Sequence, residues 1–254
     1  MKPIKQGICW GIICRGDITP ERAIVEAKRI GIQAFDFAPA EEWQRIKDAG
    51  LELSLVVGHA SLRDGLNKRE NHDRIFDELM ANIDNAAKFG IHNLCCLSGD
   101  RYFNLSELAG VEICAEILAR VAPFAEEKGV MLTTELLNSR VDHPGYQCDS
   151  TEWGVHLCKL VDSPNVKLLY DIYHMQIMEG DLIRTIRNNI GYIAHFHTAG
   201  NPGRNDLDDQ QEIYYPAIAR AIAALDYDGF VTHEFGPKGD NLAAIQQAYE
   251  AWNV

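Results

Sequence analysis

The sequence lacks several things that would have decided its class at once. No stretch approaches the ~18 consecutive apolar residues a bilayer-spanning helix needs. Its opening, MKPIKQGICWG, carries basic residues but no apolar core of the kind that marks an export signal, so a soluble cytoplasmic protein is expected. Basic residues are in deficit, 24 against 37 acidic, for a net charge of −13. Such a chain gains nothing from counterion release on a polyphosphate or from an anionic lipid surface, so neither a nucleic acid nor a membrane is expected as a partner. None of the seven cysteines forms a CxxC pair, which argues against a zinc knuckle or a disulfide framework and for small buried side chains in a reducing compartment. Cys95 and Cys96 are adjacent, so on a strand they face opposite ways. Glycine-rich phosphate loops of the GxGxxG or GxxxxGK[ST] type are missing after the early apolar runs. Low-complexity linkers and breaks in composition are missing too, so residues 1–254 read as one domain.

What is present is regular. Of the 254 residues, 46% are apolar and 24% charged, which is ordinary globular composition. Eight short β-rich runs, at 4–10, 34–38, 52–58, 92–97, 130–136, 166–171, 192–197 and 229–235, alternate with helical stretches. Thr19 and Pro20 open one helix and Gly31 closes it. Ile75, Leu79, Ile83 and Ala87 recur every four residues, and Val111, Cys114, Leu118, Val121 and Ala125 every three or four, each set marking one helix face. Pro123 interrupts the second pattern, where a kink or break is expected. The strand runs are too uniformly apolar to leave a face in water, as in parallel strands covered on both sides. Eight β–α units closing on themselves give an α/β fold, a single-domain (β/α)8 TIM barrel. An open doubly wound sheet is the second choice.

Barrels of this kind place chemistry at the C-terminal ends of their strands. The first four runs end in Trp10, in Ala38 and Pro39, in His59, and in Ser98 and Gly99. The last four end more densely: Glu135 and Asn138 in TELLNSR, Asp171 and His174 in YDIYHMQ, His195 and His197 in AHFHTAGNPGR, His233 and Glu234 in HEF. Glu135, Asp171, His197 and Glu234 thus come from four consecutive strands. Three converging carboxylates repel unless something neutralises them. Oxygen donors with one imidazole suit a single divalent cation, Mn2+ or Mg2+ ahead of Zn2+. His195 shares a strand face with His197 and could line the site or lie deeper as a hydrogen-bonded core residue, the preferred reading. His233 should point away from Glu234, toward a helix. His59 and Trp10 are candidates for a substrate wall.

Those strings, with Pro144-Gly145-Tyr146 and QEIYY, resemble the xylose isomerase-like TIM barrels of the sugar isomerase/epimerase superfamily, and within it the hydroxypyruvate isomerase family. The resemblance spans essentially the whole chain and is densest over 131–235. It implies a metal held by Glu135, Asp171, His197 and Glu234, with Glu135 and Glu234 also moving the proton. It further implies substrate contacts from His174 and Arg204, and it includes Glu212 without a stated role. For Arg204 the alternative is an ion pair with the acids at 206–209. Two departures bear on the substrate: His197 stands where hydroxypyruvate isomerases often carry Gln and epimerases His, and NDLDD follows PGR in place of His-Glu-Pro. The reaction implied is proton transfer next to a carbonyl through an enediolate, on a small sugar or hydroxy acid such as hydroxypyruvate. The alternatives are a ketose 3-epimerase, a lyase or hydratase on keto-sugars, a phosphodiesterase of the same barrel class, and a sugar-binding barrel without catalysis. A homo-oligomer is compatible with all of these.

Overall fold

The computed structural model describes residues 3–254. Each of the eight expected runs is a strand, with ends shifted by two residues at most. They are β1 (Lys5–Cys9), β2 (Ala34–Asp36), β3 (Glu52–Val57), β4 (Asn93–Cys96), β5 (Met131–Leu136), β6 (Val166–Asp171), β7 (Ile193–Thr198) and β8 (Phe230–His233). All pair in parallel in chain order, and β8 returns to β1 to close a barrel. Nearly every strand residue is buried, because helices cover the outer face while side chains fill the inner one.

The helices start and stop where local chemistry says they should. Thr19 Oγ1 accepts from Arg22 N at 3.3 Å, opening Pro20–Ile30, and Gly31 ends that helix at φ 107°. Ser106, Ser150 and Asp240 cap Glu107–Lys128, Thr151–Val161 and Asn241–Trp252 in the same way. In helix His72–Phe89, Ile75, Leu79 and Ile83 are buried as expected, but Ala87 is exposed and Ala86 takes its place. Steps of four residues overshoot a full turn by ~40°, so three such steps rotate Ala87 about 120° off the stripe. The break expected at Pro123 is also absent: Glu107–Lys128 runs through it, held by ten buried residues from Gly110 to Ala125. Their packing outweighs the ~3 kcal/mol an interior proline costs.

All seven cysteines are free, and only Cys14 is not fully buried. Cys96 joins the large core between strands and helices. Cys95 faces inward and forms with Leu55 and Leu169 a separate small cluster inside the barrel, flanked by Phe37 and Leu97. Among the described residues no helix is long and apolar enough to cross a membrane.

Candidate functional site

β5 to β8 deliver the four expected side chains to one place. A ligating atom from each of Glu135, Asp171, His197 and Glu234 lies within 4.8 Å of the others. Glu135 is inward on β5, where Cys95 Sγ donates to its Oε2 at 3.6 Å. Tyr146 fixes the end of that strand: its hydroxyl donates to Glu135 O and accepts from Ser98 N, both at 3.0 Å. Asp171 closes β6 and caps the short helix Ile172–Met178, since Oδ1 accepts from His174 N at 3.0 Å. Its Oδ2 is buried and has no hydrogen-bond partner. Glu234 lies one residue past β8, a quarter exposed, with Oε2 2.7 Å from Arg204 Nη2.

His197 joins the four. Nε2 donates to Asp36 Oδ2 at 2.9 Å, while Nδ1 stands 3.1 Å from Glu234 Oε2 and 3.5 Å from Glu135 Oε1. Nδ1 is not aligned for a hydrogen bond with either carboxylate. It therefore points at the centre of the cluster with no partner of its own, as Asp171 Oδ2 does. Buried polar atoms left unpaired cost about 1–3 kcal/mol each. A hard-to-intermediate cation with oxygen and imidazole ligands would satisfy both, so the donor set fits a divalent cation.

The charges follow from this crowding. Burial, with Glu234 nearby, pushes the Asp171 carboxyl up to about 6. Burial would raise Glu234 as well, but His197 and Arg204 outweigh it and bring it down to about 2. His197 is driven well above its ordinary value because Glu234, Asp36 and Glu135 overcome its burial. His174 falls to about 3, through burial and the positive Arg204.

The residues expected around the cluster separate into two groups. His174 is fully buried beside it, between the rings of His143 and Tyr173. Asn138 Nδ2 donates to its Nδ1 at 2.6 Å, and its unpartnered Nε2 is 3.6 Å from Asp171 Oδ2. Arg204 comes from the loop after β7 at φ 55° and pairs with Glu234 rather than with the acids at 206–209. Lys238 takes two of those instead, through its N to Asp206 and its Nζ to Asp208, and Gln210 donates to Asp209.

Two expectations, the substrate wall of His59 and of Trp10, are corrected by geometry, and Glu212, which the resemblance includes, is accounted for by its own loop. His59 lines no substrate wall: Nδ1 donates to Ala60 O at 3.1 Å and Nε2 accepts from Leu97 N at 3.0 Å, so both nitrogens are taken, the second tying the loop after β3 to the end of β4. Trp10 packs edge-on against Phe35 within the outer core. Glu212 is exposed and holds a loop, its carboxylate taking Asn201 Nδ2 and Gln176 Nε2. His233 turns away from Glu234, but it meets Thr198 of β7 and Gln6 of β1 at 2.8 and 3.1 Å, not a helix. His195 takes the deeper, hydrogen-bonded position.

Asp36 was not among the expected residues. It is fully buried at the end of β2, where Oδ2 accepts from both His195 and His197, and Oδ1 from Ser54 Oγ. The available signal was a carboxylate inside the apolar run AFDFA. Cys9 Sγ also approaches Asp36 and His197. Because Asp36 already takes three donors and burial keeps the Cys9 thiol protonated, that trio is a poor ion site.

Comparison with known proteins agrees with this architecture. Residues 23–253 match the xylose isomerase-like TIM barrel family. A 2-oxo-tetronate isomerase from Cupriavidus necator is 35% identical over 130 residues, covering 51% of this chain and 49% of that protein. The hydroxypyruvate isomerase of Escherichia coli K12 is 31% identical over 170 residues, covering 67% and 65%. The chain spans about half the length of the first curated relatives it matches. Among solved structures, an L-ribulose 3-epimerase superposes with a TM-score of 0.81 at 21% identity, over 98% of this chain and 93% of that one. The chain belongs to the xylose isomerase-like TIM barrel family.

Proposed function

We propose that this protein is a metal-dependent isomerase of a small hydroxy-carbonyl compound, with hydroxypyruvate to tartronate semialdehyde as the first reaction to test. One observation carries the reading: four donor groups meet within 4.8 Å at the barrel mouth, and Asp171 Oδ2 and His197 Nδ1 point into the cluster unpaired. Kinship with proteins named hydroxypyruvate isomerase and 2-oxo-tetronate isomerase supports the substrate class.

Glu135, Asp171, His197 and Glu234 would hold Mn2+ or Mg2+, which when bound supplies Lewis-acid stabilisation of the negative charge that develops on substrate oxygens. Glu135 and Glu234 approach from β5 and from the residue after β8, on two sides of the space between them. One takes the proton next to the carbonyl while the other, already carrying a proton, gives its own to the neighbouring carbon or the opposite face. Proton exchange of both carboxyls with solvent resets the pair, and with the roles swapped the reaction runs in reverse. A positioned carboxylate in this role contributes about 10²–10⁴-fold. His174 Nε2 is held in place by Asn138 on the opposite ring nitrogen and offers a hydrogen bond to a substrate oxygen. Arg204 gives the described residues one hydrogen bond, to Glu234, and its fork has further donors for a substrate carboxylate or hydroxyls. Phe37, Leu55, Cys95 and Leu97 supply the apolar side.

Ketose 3-epimerisation is the second reading, favoured by an imidazole at 197 inside the ligand cluster. A proton-exchange screen by NMR in D2O separates the two, run with hydroxypyruvate, tartronate semialdehyde and C3-to-C6 ketoses plus Mn2+. Carbon-bound deuterium with conversion of hydroxypyruvate is expected. Exchange confined to ketoses would move the assignment to the epimerase, and loss of a leaving group would move it to a lyase. A strong chelator should abolish turnover and Mn2+ restore it; full activity in metal-free protein would remove the cation from the account.

A further inference from the structure

We propose that Asp36 is a positioning residue that presents His197 to the cluster by fixing which of its ring nitrogens faces the cation. The inference rests on the isomerase reading for its consequence, but its geometry stands without it. Asp36 closes β2, outside the four strands whose ends carry the donor groups, and reaches the histidines of β7 across the barrel interior. Oδ2 accepts from Nε2 of His195 at 2.6 Å and of His197 at 2.9 Å, and Oδ1 is occupied by Ser54 Oγ. All four side chains are completely buried. A carboxylate is acceptor-only, so each imidazole must keep its proton on Nε2. His197 Nδ1 is then the nitrogen left for the cluster, where it has no hydrogen-bond partner.

The neighbouring residue reinforces this. Phe37 sits at φ 55°, a strained conformation for a bulky side chain, and its ring meets His197 edge-on at 5.9 Å. The last residue of β2 and the one after it thus hold one imidazole, Asp36 by hydrogen bond and Phe37 by contact. Carboxylate partners of ligating histidines set tautomer and ring orientation, and removing one costs about 10–100-fold in metal affinity.

The test uses the full chain with 15N-labelled histidine. Long-range 1H–15N spectra, taken at a pH where each ring carries a single proton, should show that proton on Nε2 of both His195 and His197 in metal-free protein, and retained at His197 when Mg2+ is added. In Asp36→Asn the Mn2+ dissociation constant should rise about 10–100-fold. Ser54→Ala, which removes only the Oδ1 partner, should bind Mn2+ close to wild type. A purely structural role would lower Tm in both variants and leave Mn2+ affinity untouched in each. A bare Nε2 on His197, or wild-type Mn2+ affinity in Asp36→Asn, overturns the proposal. Should the unmodified protein bind no Mn2+, the isomerase reading fails by itself, while the Nε2 protons still decide for or against Asp36. The same spectra decide the matter if Asp36→Asn does not fold.

Discussion

Replacing Glu234 by Gln is a sharp perturbation because it keeps the shape of the side chain and removes only its charge and basicity. Glu234 Oε2 stands 2.7 Å from Arg204 Nη2 and 3.1 Å from His197 Nδ1, so the substitution leaves Arg204 without its nearest anion, while His197 keeps Asp36 at 2.9 Å. The fold should tolerate this. Glu234 is a quarter exposed, and solvent limits the lost ion pair to about 1 kcal/mol. For a chain of this size that is a fall of ~2–4 °C in Tm. Turnover should respond on another scale. Losing the proton-transferring carboxylate is expected to cost about 10²–10⁴-fold, or roughly 3–5 kcal/mol of transition-state stabilisation. The assay is deuterium incorporation and product formation at saturating Mn2+, so that weakened metal binding does not pass for lost chemistry. Glu135→Gln should behave alike. Either variant keeping more than a tenth of the wild-type rate refutes its place in the proton-transfer pair.

Further expectations follow from individual contacts. With its carboxyl pushed up to about 6, metal-free Asp171 must shed a proton to take part in the cluster below that pH. Metal-free His197, driven above its ordinary value, must also release its Nδ1 proton, so the Mn2+ dissociation constant should rise as pH falls from 8 and rise more steeply below pH 6, where the Asp171 proton competes as well; a titration series giving the same affinity at pH 5 and pH 7 would contradict this. Tyr146→Phe strips the hydroxyl joining Glu135 O to Ser98 N, leaving buried groups unpaired at a cost of about 1–3 kcal/mol. Urea unfolding should show that loss, and a null result would mean the strand end is held by other contacts. Arg204→Lys keeps the charge but gives up the planar fork, so KM for a carboxylate-bearing substrate should rise more than kcat falls. Steady-state kinetics showing the reverse split would place Arg204 in the chemistry instead.

The barrel was legible because its signals are local and repeated. Doubly covered parallel strands must be apolar throughout, and helix caps such as Thr19 and Gly31 act within one turn. The acidic and histidine residues at four successive strand ends were legible for the same reason, since strand alternation alone places them inward. What escaped depends on neighbours distant in sequence. Asp36 meets His195 and His197 some 160 positions away, and nothing in AFDFA says which side chains will surround its carboxylate. His59 looks like a rim ligand until Leu97 N is found on one ring nitrogen. Glu212 carries a motif resemblance, yet its loop turns it toward Asn201 and Gln176. Ala87 shows the limit of reading helices by fours, and Pro123 shows tertiary packing overriding a local breaker.

The most direct measurement is anomalous diffraction from crystals of this protein grown or soaked with Mn2+. A single strong peak is predicted among Glu135, Asp171, His197 and Glu234, with coordinating atoms about 2.0–2.6 Å away and His197 bound through Nδ1. No peak there, or one lying elsewhere in the barrel, would contradict the account.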